Sequence, residues 1–243
     1  MDLNGKVVLV AGGAGGIGLG IAKALAAEGC KVALADNNKE ALADAVKAVE
    51  GEFKCVGRTC DITDREQVSK LLEWLGGKLG PVDILVNSAG VNVGNRMMSN
   101  IDPDDFDRVM EINTTGTFNC IYAALGVMRR KGSGLIVNIV SLAGKRVMLL
   151  AGLPYCVSKF ATGALGTFVN LEESVNGIKV TNIYPGETNT PIIDKRPSPP
   201  PAEKRAMMLQ PEDIAACVVA IAKLPPRAVV PELIITPPHM MVG

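Results

Sequence analysis

Tyr155 and Lys159 are the two residues whose types and spacing best fit acid–base chemistry in this chain of 243 residues. The stretch LPYCVSKF, residues 153–160, puts them four positions apart, and in a helix such residues share one face. A free tyrosine has a pKa of about 10, and a nearby ammonium lowers that pKa by stabilising the phenolate. A phenol tuned in this way exchanges a proton with a reacting oxygen and typically contributes ~10²–10⁴ in rate. The alternative is a partly buried tyrosine beside a solvated lysine, which is the commoner meaning of this spacing in isolation.

Ser141 supplies a third polar group that the same chemistry can use. It closes the apolar run GLIVNIVS, residues 134–141, which has the length and β-branched composition of a buried strand. Ligands bind at the carboxyl ends of parallel strands, so we expect the Ser141 hydroxyl near Tyr155 and Lys159. A hydroxyl there would hydrogen-bond an oxygen on which charge develops.

The elements that must position these groups are short apolar runs alternating with segments of helical period. The predicted strands are residues 6–11, 31–36, 53–57, 82–87, 134–141, 178–184 and 232–236. Strand and helix in alternation predict an α/β fold, a Rossmann-type doubly wound sheet of seven parallel strands with helices on both faces. We find no break in composition, so we expect a single domain spanning residues 1–243.

Two of the predicted helices carry further expectations. In 64–79, Thr63 and Glu66 fit a capping box. In the helix after Tyr155, an apolar stripe is formed by Phe160, Ala164, Phe168 and Leu171. The other two tyrosines, Tyr122 and Tyr184, have no comparable partners, and we interpret them as packing residues.

The glycine-rich stretch AGGAGGIG, residues 11–18, follows the first predicted strand and opens a helix. It can be read as G-x-G-x-x-G through Gly13, Gly15 and Gly18, or with a wider gap through Gly12, Gly16 and Gly18. Either arrangement lets backbone amides and the helix N-terminus approach a pyrophosphate. A merely tight turn is the alternative.

Asp36 ends the second predicted strand, 18 residues after Gly18, near the spacing of an acidic residue that binds the adenosine ribose. Its carboxylate would repel a 2′-phosphate, which favours NAD over NADP as cofactor. The alternative role is the N-cap of the following helix.

Several ordered motifs together resemble the short-chain dehydrogenase/reductase family, in its single-domain branch, across essentially the whole chain. They are AGGAGGIG at 11–18, CDIT at 60–63, NSAG at 87–90, Asn113, Ser141, YCVSK at 155–159 and YPGETNTP at 184–191. The resemblance implies an NAD(H)-dependent oxidoreductase that interconverts a secondary alcohol and a ketone, with Tyr155 as general acid and base. It also implies a homotetramer or dimer built from the helices that hold Asn113 and Tyr155.

The same resemblance assigns residues to the catalytic and cofactor sites. The implied catalytic residues are Asn113, Ser141, Tyr155 and Lys159, with Asn113 positioning a water and Lys159 also holding the nicotinamide ribose. The implied cofactor-binding residues are Gly12, Gly16, Ile17, Gly18, Asp36, Asp61, Ile62, Asn87, Ala89, Gly90, Tyr155, Lys159, Thr188 and Thr190. The sequence has Ser88 where the family often has a second asparagine, a small polar change that we expect to be tolerated.

The proline-rich segment 187–210 lacks a clear period, and we expect it to act as a lid over a small-molecule substrate. Apolar side chains should border that substrate or simply pack the lid; they are Val93, Met97, Val147, Met148, Leu149, Leu150 and Leu153. Four lid cations, Lys195, Arg196, Lys204 and Arg205, are candidates for a carboxylate or phosphate, although loop charges are more commonly solvated.

Composition excludes several other classes of protein. Basic and acidic residues number 25 each, and a formal charge of zero argues against nucleic acid as a partner. No apolar run approaches a membrane span, and the N-terminus resembles neither a signal peptide nor a transit peptide. Six cysteines without a C-x-x-C pair, and a single histidine, predict no metal site and a cytoplasmic location.

Two other functions fit the sequence less well. Sugar-nucleotide epimerases and dehydratases carry a separate substrate region, for which this chain is too short. A redox-inactive NAD(H)-binding sensor or regulatory protein would have no need of both Tyr155 and Lys159.

Overall fold

The fold is built on one parallel sheet, as the alternation of apolar runs and helices predicts. A computed structural model describes residues 2–240. The seven strands are β1 Val7–Ala11, β2 Lys31–Asp36, β3 Val56–Thr59, β4 Ile84–Asn87, β5 Gly134–Ile139, β6 Ile178–Pro185 and β7 Glu232–Ile235. They lie in the order β3-β2-β1-β4-β5-β6-β7, and every neighbouring pair is parallel. The predicted fold class is confirmed.

Helices cover both faces of this sheet. They are α1 Gly16–Ala27, α2 Lys39–Ala48, α3 Arg65–Lys78, α4 Pro103–Met110, α5 Thr117–Lys131, α6 Leu153–Glu173, α7 Ala202–Ala206 and α8 Pro211–Ala222. A π-helical turn, Glu111–Gly116, joins α4 to α5, and short 3₁₀ turns lie at Leu142–Gly144, Ser174–Asn176 and Pro191–Lys195. The side chains of β1 alternate between two apolar cores, one shared with α1, α2 and α8 and the other with α3, α5 and α6.

Two local predictions were wrong. The third strand is Val56–Thr59 rather than 53–57, because it lies at the sheet edge and accommodates a charged residue. Arg58 lies in this strand with its guanidinium 5.7 Å from the centroid of the Trp74 ring. The predicted capping box of Thr63 and Glu66 is absent, since α3 begins at Arg65 and the Asp64 carboxylate accepts hydrogen bonds from the amides of Glu66 and Gln67.

The apolar stripe predicted on α6 exists, but it faces away from the chain's own core. Phe160, Phe168 and Leu171 are exposed, with Leu171 at 72%. On α5, Phe118 and Tyr122 stack with ring centroids 5.8 Å apart, and Tyr122 is 70% exposed. Tyr122 therefore packs on Phe118 at the surface and does not belong to the core of this chain. Tyr184 is a packing residue of the core, since it is buried and its hydroxyl donates to Glu232.

A ladder of three asparagines crosses the centre of the sheet. Asn87 of β4 donates to Asn138 of β5 at 2.9 Å, and Asn138 donates to Asn182 of β6 at 3.0 Å. Helix α6 crosses these amides closely at Gly166, where a Cβ atom would lie 2.5 Å from Asn138 Nδ2. The ladder thereby fixes the height of α6 above the strand ends.

Among residues 2–240, no helix combines the length and the apolar character that a bilayer crossing demands.

Candidate active site

A cleft of about 640 Å³ opens at the carboxyl ends of the strands. It lies at the point where the chain, having added β2 and β3 on one side of β1, returns to add β4 on the other. This is where doubly wound sheets bind ligands. Most of the predicted site residues line it, namely Gly12, Gly16, Ile17, Asp36, Asp61, Ile62, Ala89, Gly90, Ser141, Tyr155, Lys159, Thr188 and Thr190. Gly18, Asn87 and Asn113 lie beneath its surface.

The glycine loop forms one wall of the cleft, and its geometry favours the wider reading. Gly12 and Gly16 have φ of +77° and +54°, values that L-residues rarely adopt. A Cβ on Gly12 would also lie within 3.0 Å of the Ser88 and Ala89 backbone. Gly18 packs directly against the carbonyl of Gly12. Gly15, by contrast, has an extended backbone and open space around it. The N-terminus of α1 therefore faces the cleft with only small residues in front of it.

Asp36 orders this loop and is not a helix cap. One carboxylate oxygen accepts from the Ala14 amide at 3.1 Å, and the other accepts from the Asn38 amide at 3.0 Å. The N-cap of α2 is Asn38, whose side chain accepts from Ala41. The alternative role of Asp36 as an N-cap is therefore wrong.

Asp61, Ile62 and the NSAG stretch continue the wall. Asp61 accepts from the amide and hydroxyl of Thr63, while Ile62 is buried with its carbonyl bonded to Asn119. Ala89 and Gly90 line the cleft after β4, and Gly90 lies against the Lys159 ammonium. The Asn87 side chain belongs to the asparagine ladder, and its Oδ1 is buried without a hydrogen-bond partner.

Ser141 and Tyr155 lie together on the opposite wall. Ser141 follows β5 by two residues, and its hydroxyl oxygen accepts from the Ala143 amide. Its hydrogen bond to the Tyr155 phenol favours the phenolate, yet burial dominates and raises the pKa of Tyr155 to about 12. We expected the pKa of Tyr155 to be lowered. That expectation is wrong when only the protein's own groups act on the phenol.

Lys159 lies one helical turn beyond Tyr155 and is 96% buried, since only 4% of it is exposed. Its ammonium donates to the carbonyl of Ile139 at 2.9 Å and lies 5.5 Å from the centroid of the Tyr155 ring. Burial lowers the pKa of Lys159 to about 8. The two side chains face the same cleft, as their spacing predicts.

Asn113 lies within the π-helical turn between α4 and α5 and is fully buried. Its side chain accepts from the Val91 amide at 2.8 Å and donates to the Val91 carbonyl and to Ser158. Its own carbonyl accepts from Thr117 and Thr162. π-Helical turns are often found at functional sites, and this one brings Asn113 behind Gly90 and Lys159.

Thr188 and Thr190 begin the segment predicted as a lid. The Thr188 hydroxyl donates to the carbonyl of Gly186 at 3.2 Å, and Thr190 packs against Gly16 of the glycine loop. The segment is more ordered than its composition indicates, since it contains a 3₁₀ turn, α7 and an ion pair between Arg196 and Glu187. Both partners of that pair are more than four-fifths buried, so Arg196 is not a solvated loop charge.

Comparison with known proteins agrees with this geometry. The profile of the family described as short chain dehydrogenase matches residues 6–200. The chain belongs to the short-chain dehydrogenase family. An uncharacterised oxidoreductase of Staphylococcus saprophyticus is 33% identical over 239 residues, covering 98% of this chain and 99% of that protein. The protein is thus an oxidoreductase of this family.

Two further relatives extend the comparison. The glycine betaine reductase of Emericella nidulans is 34% identical over 97% of this chain, but this chain spans only 19% of that protein's length. A solved structure of actinorhodin polyketide ketoreductase with NADPH superposes with a TM-score of 0.86 at 29% identity, covering 96% of each chain. A nicotinamide dinucleotide is therefore found in a structural neighbour of this short-chain dehydrogenase.

Arg96 and Arg196 line the cleft of this short-chain dehydrogenase. Arg196 is one of the four lid cations named from the sequence, whereas Arg96 was not predicted as a site residue. Arg96 is 4% exposed and donates to the backbone carbonyls of Leu150 and Lys195. No local motif marks Arg96, because two of its three backbone partners are 54 and 99 residues away along the chain. Of the apolar residues expected at the substrate, Met148 and Leu150 line the cleft, while Val93 is buried and Val147 and Leu149 are largely exposed.

Proposed function

We propose that the protein transfers a hydride between NAD(H) and a small secondary alcohol or ketone, with Tyr155 as general acid and base. The observation that carries this proposal is the placement of Ser141, Tyr155 and Lys159 in one cleft with the glycine loop. In the reductive direction the carbonyl carbon receives the hydride and the carbonyl oxygen receives a proton. The products are the alcohol and the oxidised dinucleotide.

The residues present fit a dinucleotide. The loop from Gly12 to Gly16 is mostly glycine. It leaves an open space at the N-terminus of α1 that larger side chains would fill. Asp36, at the end of β2, would bind the adenosine ribose, and Asp61 and Ile62 would flank the adenine. Ala89, Gly90, Lys159, Thr188 and Thr190 would hold the nicotinamide half. The dinucleotide supplies or accepts the hydride.

Proton transfer is the task of the chain's own residues. Ser141 donates a hydrogen bond to the substrate oxygen, and Tyr155 delivers the proton to that oxygen or removes it. Burial keeps Tyr155 protonated, which suits a general acid in ketone reduction. Alcohol oxidation needs a lower tyrosine pKa, so we assign that lowering jointly to the Lys159 ammonium and to the positive charge of an oxidised nicotinamide. Asn113 would complete a proton relay from Lys159.

Asp36 supports a preference for NAD over NADP. Both oxygens of its carboxylate are engaged by loop amides, so the charge is fixed where a 2′-phosphate would lie. The next three residues are Asn37, Asn38 and Lys39, and none is an arginine. NADPH in the polyketide ketoreductase structure belongs to that protein, and the preference of this chain is a property to be measured.

We also propose that the chain forms a homo-oligomer, a tetramer or dimer, through the exposed apolar side chains of α5 and α6. The segment 187–210 would act as the substrate lid of a single domain.

All six cysteines are free thiols, and five of them are buried, which supports a reducing, cytoplasmic location.

The test is a screen of secondary alcohols and ketones with both dinucleotides, followed by absorbance at 340 nm. We expect dinucleotide-dependent turnover of at least one substrate, which disappears in Tyr155→Phe. Tight binding of NAD(H) without turnover of any substrate would overturn the enzymatic proposal and favour the sensor.

A further inference from the structure

Arg96 is a buried cation without a carboxylate partner among residues 2–240, and it borders the substrate side of the cleft. Its Nε–H and one N–H on each terminal nitrogen donate to the carbonyls of Gly94, Leu150 and Lys195. One N–H on each terminal nitrogen has no acceptor within the described range. A guanidinium taken out of water in this way is costly unless an anion or further acceptors meet it.

The position of Arg96 is fixed by close packing and by a backbone hydrogen bond. Its aliphatic stem packs on Gly152, where a Cβ would lie 2.5 Å from Arg96 Cβ and Cγ. Gly152 has φ of +83° and immediately precedes α6. The Arg96 carbonyl accepts from the amide of Leu153 at 2.8 Å, two residues before Tyr155. The arginine is therefore anchored directly to the helix start that carries the proton donor.

The surrounding charges do not neutralise Arg96. Four carboxylates line the cleft, namely Asp36, Asp61, Glu111 and Glu187, and none forms an ion pair with Arg96. Glu187 is already bonded to Arg196 at 2.8 Å and lies 3.4 Å from His239. Burial lowers the pKa of Arg96, and repulsion by the nearby Arg196 guanidinium lowers it further. Arg96 and Arg196 carry two positive charges at this end of the cleft, and Glu187 carries one negative charge. One positive charge is therefore left without a carboxylate to neutralise it.

We infer that the substrate is an oxo acid or hydroxy acid whose carboxylate binds to Arg96, with Arg196 beside it; this rests on the proposed function of the cleft. A carboxylate has one negative charge and two acceptor oxygens, which match one unmatched cation and two N–H donors. Met148 and Leu150 on the same wall would contact the hydrocarbon between the carboxylate and the reacting carbon. The carboxylate is unchanged by the reaction, and only the carbonyl or alcohol carbon exchanges hydride.

Binding can be separated from turnover by using oxo acids with the oxidised dinucleotide, which cannot reduce them. The probes are 2-oxobutanoate, 3-oxobutanoate and 4-oxopentanoate, each compared with its methyl ester by calorimetry. We expect at least one acid to bind about 10- to 100-fold more tightly than its ester, the range given by a charge-assisted hydrogen bond. Acids that bind no better than their esters, or not at all, would overturn the inference.

Substitution then assigns the preference to Arg96. Arg96→Met should abolish the difference between acid and ester, and Arg96→Lys should retain part of it because it keeps the charge. Lys47→Met is the matched control, since that exposed side chain on α2 loses the same charge and does not line the cleft. A merely structural role for Arg96 would lower acid and ester binding equally and leave their ratio unchanged, which would overturn the assignment.

Folding and activity have separate readouts. NADH fluorescence in each variant reports whether the dinucleotide site survives, and Arg96→Lys replaces Arg96→Met if the latter does not fold. Carboxylate-selective binding without hydride transfer in the wild-type protein would overturn the proposed reaction but leave the carboxylate site standing.

Discussion

The Lys159 ammonium lies 5.5 Å from the centroid of the Tyr155 ring, and its hydrogen bond goes to the carbonyl of Ile139. The two residues therefore share one side of α6 without a direct bond between ammonium and phenol. Burial acts on them in opposite directions, because it disfavours the charged form of each group. It raises the pKa of Tyr155 to about 12 and lowers that of Lys159 to about 8.

The first prediction concerns the phenol itself. Tyr155→Phe keeps the ring and removes only the hydroxyl that would exchange the proton. We expect turnover to fall about 10²- to 10⁴-fold, the usual contribution of a general acid or base. NADH affinity, followed by fluorescence titration, should change little. Turnover comparable to the wild-type protein would contradict the assignment of Tyr155.

The second prediction concerns the cofactor. Asp36→Asn removes the charge but keeps an oxygen that can accept from the Ala14 amide. We expect the ratio of kcat/KM for NAD over NADP to fall by about tenfold or more, because a like-charge repulsion is removed. Asp36→Ala also deletes the hydrogen bond to the loop, so it should weaken binding of both dinucleotides. A ratio that stays constant in Asp36→Asn would count against the role of the carboxylate.

The third prediction concerns the pH dependence of stability. The pKa of Lys159 is about 8 in the folded chain and about 10.5 in the unfolded chain, so the unfolded state binds more protons between these values. The free energy of unfolding attributable to Lys159 should therefore rise with pH, by about 2 kcal/mol between pH 7 and pH 10. Below pH 8 both states are protonated and the full burial penalty applies.

Urea unfolding of the wild-type protein and of Lys159→Met checks this slope. Methionine does not titrate, so the stability difference between the two proteins should shift in favour of the wild type as pH rises. A difference that is constant across this range would mean that the Lys159 pKa is not lowered in the folded protein.

The fourth prediction concerns the glycine loop. Gly12→Ala must place a Cβ against the Ala89 backbone at a left-handed φ, and we expect it to lower the free energy of unfolding by about 2–4 kcal/mol. Gly15→Ala, three residues away, meets nothing within 4 Å and should change stability by less than about 1 kcal/mol. Equal losses in the two variants, measured by urea unfolding, would contradict the geometric distinction between these glycines.

The fifth prediction concerns assembly. Phe168 is 66% exposed on α6, next to other exposed apolar side chains. Phe168→Glu should convert the proposed oligomer to a single chain in light scattering, because it places a charge in an apolar interface. Lys47→Glu on α2, which packs on the other face of the sheet, should leave the mass unchanged. A wild-type protein that is already monomeric would refute the proposed oligomer.

The sequence predicts much of the fold because buried parallel strands are short, apolar and bounded by turn residues. It also predicts that Tyr155 and Lys159 share a face, because that follows from helical period alone. It misplaces the bounds of β3, where an edge strand tolerates Arg58, and it does not predict the outward direction of the α6 stripe. An apolar stripe has the same pattern whether it covers the chain's own core or a second chain.

The parts of the site that escaped prediction depend on long-range contacts. Arg96 is bound by carbonyls from two distant segments, and an arginine that binds only backbone leaves no pattern in the side chains around it. The pKa of Tyr155 was expected to fall because the sequence shows the lysine but not the degree of burial. Burial depends on everything packed around the phenol, and here it outweighs the Ser141 hydrogen bond.

The close crossing of α6 over Asn138 and Asn182 at Gly166 has a consequence for how this scaffold can diversify. At Gly166 the backbone of α6 directly contacts the side-chain amides of Asn138 and Asn182, with no side chain in between. This contact sets the distance of Tyr155 from the sheet. Residues 147–151 and 197–207 contain no glycine held in such close contact. Substitutions in those two stretches can change which substrate fits the cleft, while the position of the Tyr155 phenol relative to the sheet stays the same.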